Sequence, residues 1–182
     1  MPSQRCLALV TLMFVALPVR ADVASGPPVG DKVASFKVFD ATGLHKDKDV
    51  DYTAERKDQP TIYVFINQWN RPVARFLKTL DEAIKQDSDK AYLVAVWLTD
   101  QAEQTKEYLP KAQQSLKLES TALTVFQGEK RGPDGWGLND MAHVTVVVAA
   151  KAKVAATFGL VSVNETDVRP VRMAFKKALD GN

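Results

Sequence analysis

Cysteine is nearly missing from this 182-residue chain, which has Cys6 and no other. Histidine is scarce too, with only His45 and His143. Zinc and similar metals need three or four Cys, His or carboxylate ligands brought together at short, regular spacings. Nothing here has that spacing, so no metal site and no cofactor is expected. The chain also lacks a nucleophile elbow, a glycine-rich phosphate loop and a helical metal motif. No block of basic residues stands out, so electrostatic capture of nucleic acid or of an anionic membrane has no support.

Long apolar runs are missing as well. The most apolar N-terminal segment, residues 6–19, is interrupted by Pro18. It is shorter than the roughly 20 residues needed to cross a bilayer. With Arg5 before it and Val19-Arg20-Ala21 after it, residues 1–21 have the three parts of a secretory signal peptide, cleaved before Asp22. The expectation is an exported protein, periplasmic or secreted, without stable membrane insertion after cleavage. Cleavage would remove Arg5, Arg20 and Cys6 and leave 22 basic and 22 acidic residues. The mature chain would be neutral and free of thiols in a compartment that permits disulfides. Disulfide staples, cysteine nucleophiles and thiolate metal sites are excluded together.

What is present is an ordinary globular composition, 46% hydrophobic and 25% charged, enough for one domain. Its most informative stretch is TIYVFINQWNRPVARFLKTL, residues 61–80. The β-branched and aromatic run over residues 62–66 predicts a strand buried on both faces. Val73, Phe76, Leu77, Leu80 and Ile84 then form one helical stripe, with Arg75, Lys78, Asp81 and Lys85 turned outward. Between them, Asn70 suits a helix N-cap and Pro72 the first helical turn.

Trp69-Asn70-Arg71-Pro72-Val73 resembles the thioredoxin active-site motif Trp-Cys-x-Pro-Cys, with Trp69 and Pro72 in register. Asn70 and Val73 stand where the motif has its two cysteines. The motif works through a thiolate stabilised at a helix N-terminus and a second thiol that resolves the mixed disulfide. An amide and an isopropyl group do neither. Val29-Gly30-Asp31, Phe36, Asp40 and Gly43 are similar to the opening of redoxin domains of the peroxiredoxin and thiol-reductase type, with Ala34 or Ser35 in place of a frequent proline.

Along the chain, residues 22–30 read as a Gly/Pro linker and residues 31–182 as a single domain. Residues 31–40 give a modest strand signal through Phe36 and Val38, and residues 45–60 read as a solvated loop. Residues 91–98 and 121–127 predict buried strands. Residues 101–116 predict a polar helix, capped by Thr99 and bent or interrupted at Pro110. Residues 144–149 and 154–158 predict an antiparallel hairpin, followed by an amphipathic helix starting near Thr166 or Asp167. This order predicts an α/β fold, which the resemblance specifies as a thioredoxin-like three-layer α/β/α sandwich with a mixed central sheet.

The resemblance also implies a cis-proline before the first hairpin strand, where thioredoxin-like domains contact extended polypeptide. This chain has Met141-Ala142-His143-Val144 there, so a trans bond is expected. Two features of the redox site are therefore missing together, and neither disulfide exchange nor peroxidase activity is expected. The candidate binding residues are Trp69, Arg71, His143 and Trp136. For Trp69 and Trp136 the sequence leaves packing and recognition open; for Asn70 and His143, capping and loop bonding compete with a small polar site. Three readings follow: a non-catalytic domain binding a protein or peptide partner, an enzyme using Asn70, Arg71 and His143 without thiol chemistry, or a stable remnant with no retained site.

Overall fold

The computed structural model describes residues 22–180. The expected signal peptide and Cys6 lie outside the described residues. Seven strands form one mixed sheet: β1 Val38–Asp40, β2 Lys48–Val50, β3 Thr61–Ile66, β4 Tyr92–Leu98, β5 Thr121–Phe126, β6 Val144–Ala150 and β7 Lys153–Leu160. They are ordered β2-β1-β5-β4-β3-β6-β7. β3, β4 and β5 run parallel, joined through α2 (Arg71–Asp87) and α3 (Ala102–Leu116). β6 pairs antiparallel with β3 and turns back as β7. The chain ends its described part in α4, Val168–Asp180.

The continuous apolar runs become strands because both faces of the sheet are covered. Ile62, Val64 and Ile66 share one core with Leu93, Ala95 and Trp97 and with the stripes of α2, α3 and α4. Val73, Phe76, Leu77, Leu80 and Ile84 are all fully buried in it. Tyr63, Phe65, Val94 and Val96 face a second core, rich in aromatic rings. That face is covered by Tyr52, from the single-turn helix α1 (Tyr52–Arg56), and by coil that supplies Phe36 and Trp136.

Four details depart from the sequence reading. Residues 45–60 are not all loop, since β2 and α1 lie there, α1 being capped by the Asp51 carboxylate on Thr53 N and Ala54 N. Such short elements give almost no periodic signal. Helix α3 runs unbroken through Pro110, because Leu109 and Ala112 beside it are buried and their packing offsets the lost bond. Thr99 does not cap α3; its hydroxyl accepts from Gln101 N at 3.0 Å, and Gln101 stands at the cap position without a side-chain bond.

The last departure is the expected linker. Residues 22–33 lie antiparallel along β7, bridged at Asp22–Leu160 and Lys32–Lys153. Val23 N donates to Gly159 O at 3.0 Å and Gly30 N to Val154 O at 2.8 Å. Ser25 is buried, its hydroxyl 2.5 Å from that of Thr145. The strap thus covers the β7 edge, which would otherwise offer unpaired backbone groups.

Candidate functional site

The turn from β3 into α2 forms as the residues require. Asn70 is extended, and its side-chain oxygen accepts from Val73 N at 3.0 Å. Pro72 sits in the first turn, where no N–H is needed. Val73 is fully buried in the core beneath the helix, while Asn70, Arg71 and Pro72 are exposed. At the two cysteine positions, then, one side chain is spent on capping and the other on packing.

Register brings the hairpin to the same place. Ile66 pairs with Val144, so His143 lies beside the turn. Its carbonyl accepts from Asn67 N at 3.0 Å and Gln68 N at 3.3 Å, and Asn67 Nδ2 donates to Ala142 O at 2.8 Å. The described residues contain no cis peptide bond. The Ala142 and His143 carbonyls are thereby occupied from within. Among the described residues the His143 imidazole makes no hydrogen bond to Asn70 or Arg71. The expected polar site of Asn70, Arg71 and His143 is a neighbourhood without a bonded constellation.

Trp69 is half-buried. Its ring lies 4.5 Å from that of Trp97, and its indole N–H donates to the Tyr108 hydroxyl at 3.0 Å. Tyr108 comes from α3 and is 44% exposed. The two rings form a ridge between two clefts of about 340 Å³ each. Thr99, Gln101, Gln104 and Lys130 line one cleft; Asn70, Arg71 and Ser115 line the other. A further cleft beside Asn67 and Gln68 carries Lys130, Arg131 and Asp140. Met141 is 67% exposed in the loop that leads to His143.

Trp136 must be removed from the candidate surface. It is 0% exposed, with its ring 4.7 Å from Phe65, 5.0 Å from Phe36 and 5.2 Å from Tyr63. Its N–H donates to Ala34 O at 3.2 Å. A tryptophan in a glycine-rich turn looks exposed in sequence; here it fills the space over a sheet face that only one short helix covers. Sequence reasoning also missed Tyr108, whose one signal was an aromatic residue on an otherwise polar helix.

Neither a protein-family model nor a curated protein matches the sequence. Solved structures do match. A thiol peroxidase from Chromobacterium violaceum is 13% identical with a TM-score of 0.64, over 90% of this chain and 94% of that one. A DsbF homologue from Corynebacterium diphtheriae is 17% identical with a TM-score of 0.59, over 94% and 99%. Peroxidoxin BcpB from Mycobacterium tuberculosis is 14% identical with a TM-score of 0.60, over 82% and 97%. The chain has the thioredoxin-like redoxin fold, with Asn70 and Val73 at the positions where the motif carries cysteine.

Proposed function

We propose that this is an exported, non-catalytic redoxin-fold domain that binds a polypeptide partner at the face once used for thiol exchange. The observation that carries the reading is the Trp69–Tyr108 ridge beside a turn whose two reactive positions hold a cap and a core residue. Aromatic side chains held rigidly at a surface are efficient anchors for protein contact. The amides of Gln101 and Gln104 and the cations Arg71 and Lys130 surround the ridge with groups that can pair with peptide carbonyls and carboxylates. Contact through side chains fits the occupied carbonyls of Ala142 and His143 better than strand addition there would.

The competing reading, an enzyme at Asn70, Arg71 and His143, draws no support from hydrogen bonding, because the Asn70 oxygen is committed to Val73 N. Export places the working molecule outside the cytoplasm and its start at Asp22, which N-terminal sequencing of the recovered protein checks. For binding, peptides selected from a random displayed library are titrated against wild type and against Trp69→Ala plus Arg71→Ala. The expected loss is tenfold or more, the scale of an aromatic anchor, about 1.4 kcal/mol or above. Equal affinities for the two proteins would reject this face as the binding surface. Insulin disulfide reduction by the wild type should stay at background.

A further inference from the structure

At the other end of β3 from the turn, three elements enclose a half-open cavity of about 400 Å³. The end of the strap and the coil after it supply Lys32 to Ser35, α1 and its flanks supply Asp51 to Gln59, and the sheet supplies Thr61, Tyr63 and Ala149 as floor. Apolar groups dominate the walls, among them Val33, Ala34 and Ala149. Lys32 and Val33, at the end of the strap, form part of the cavity wall. The cavity shares no lining residue with the Trp69 clefts.

Half of its eight polar side chains, Ser35, Asp51, Thr53 and Thr61, are already committed. Asp51 accepts from Thr53 Oγ1 at 2.6 Å, Thr53 N at 2.9 Å and Ala54 N at 3.2 Å, and also from the Ser35 hydroxyl. The Thr61 hydroxyl donates to Gln59 O at 3.1 Å. Tyr63 is not committed. It is 98% buried, since only 2% of its surface is exposed, yet its hydroxyl makes no hydrogen bond to any described residue. Its oxygen keeps a little exposure, so the free hydroxyl opens onto the cavity that Tyr63 lines. Asp51, at the start of α1, lines the same cavity. Burial, the largest cause, pushes the Tyr63 pKa up, so the phenol is a protonated donor at neutral pH. Lys32 and Lys57 are exposed at the lining and form no ion pair among the described residues.

The uncommitted side chains are the Tyr63 phenol, the two ammonium groups and the exposed Gln59 amide, so donors predominate over apolar walls. We infer that the cavity binds a small, mainly aliphatic carboxylate bearing a second hydrogen-bond acceptor, with its charge toward Lys32 and Lys57 and its neutral oxygen on Tyr63. The committed Asp51 carboxylate disfavours the reverse orientation, with ligand charge at the floor.

Amide chemical-shift titration of the whole chain tests this with three probes: levulinate, valerate, which lacks the keto oxygen, and butanone, which lacks the carboxylate. Levulinate should give saturable shifts at residues 32–35 and 53–61, and bind about tenfold more tightly than either of the others. Tyr63→Phe should remove its advantage over valerate. Lys32→Ala plus Lys57→Ala should remove its advantage over butanone. Because the Tyr63 hydroxyl is unbonded in the free protein, Tyr63→Phe should melt no lower than wild type, so lost binding would not reflect misfolding. Absence of saturable shifts, equal binding of all three probes, shifts centred on Trp69, or an undiminished levulinate preference in Tyr63→Phe would each overturn the assignment. The peptide-binding face can fail its own test without touching this result.

Discussion

Asp87, the last residue of α2, accepts two hydrogen bonds from Arg172 of α4, from Nε and from Nη2, each at 2.7 Å. Lys176 approaches the same carboxylate at 3.6 Å. The hydrogen bond from Arg172 is the main cause holding the Asp87 carboxyl below its ordinary 3.8, with burial opposing and the two cations assisting. A depressed folded pKa means stability that is fully present above about pH 4, the unfolded value, and lost as pH falls further through the folded value. The Asp87 side chain is 4% exposed but that of Arg172 is 34% exposed, so solvent screens one end of the pair. Asp87→Asn should cost about 1–2 kcal/mol at pH 7, between the surface and buried cases. Urea denaturation at several pH values should show this gap closing below about pH 4, as the wild-type carboxylate is itself protonated. A gap that stays constant to low pH would assign the effect to packing instead of charge.

The helix cap at Asn70 stands where the thioredoxin motif carries its first cysteine. In a Cys6→Ser background, Asn70→Cys puts a single thiol at the N-terminus of α2, next to Arg71. Its pKa should fall below the ordinary value of about 8.5, read from the pH dependence of iodoacetamide alkylation. The same change removes the bond to Val73 N and should cost about 1 kcal/mol of stability. Insulin reduction should remain absent, because no resolving thiol stands at position 73, and should appear when Val73→Cys is added. A thiol titrating at or above its ordinary value would show that this helix end does not stabilise an anion.

How much of this was legible in sequence depended on periodicity. The runs over β3 and β4 and the stripes of α2 and α4 are long enough to state their own structure, and Trp69, Asn70 and Pro72 lie where the motif put them. Elements of three to five residues, β2 and α1, carry too few positions to show a period. Trp136 is buried and Tyr108 exposed for a reason no local pattern records. The aromatic core face lacks a long helix, so a loop tryptophan fills it, while the polar helix α3 lends its tyrosine to the surface. The strap was missed because Gly and Pro in residues 22–30 resemble a flexible connector. Its hydrogen bonds go to a strand more than a hundred residues later.

That strap depends on one glycine. A Cβ built at Gly159 would lie 2.1 Å from Val23 O and 2.8 Å from Ser25 Cβ. The obstruction is steric and involves backbone, which cannot swing aside as a flexible side chain would. Gly159→Ala should therefore push the strap off β7 at Val23 and Ser25, breaking the Ser25–Thr145 contact and costing about 1–3 kcal/mol, as overpacking does. The informative measurement is amide exchange at Val23, Gly26, Gly30 and Val33, whose bonds go to Gly159, Gly137, Val154 and Ala152. If the strap behaves as one unit, all four amides should exchange faster together in the variant. Acceleration at Val23 alone would mean that each bond holds separately. The wall formed by Lys32 to Ser35 would then survive a loosened N-terminal end.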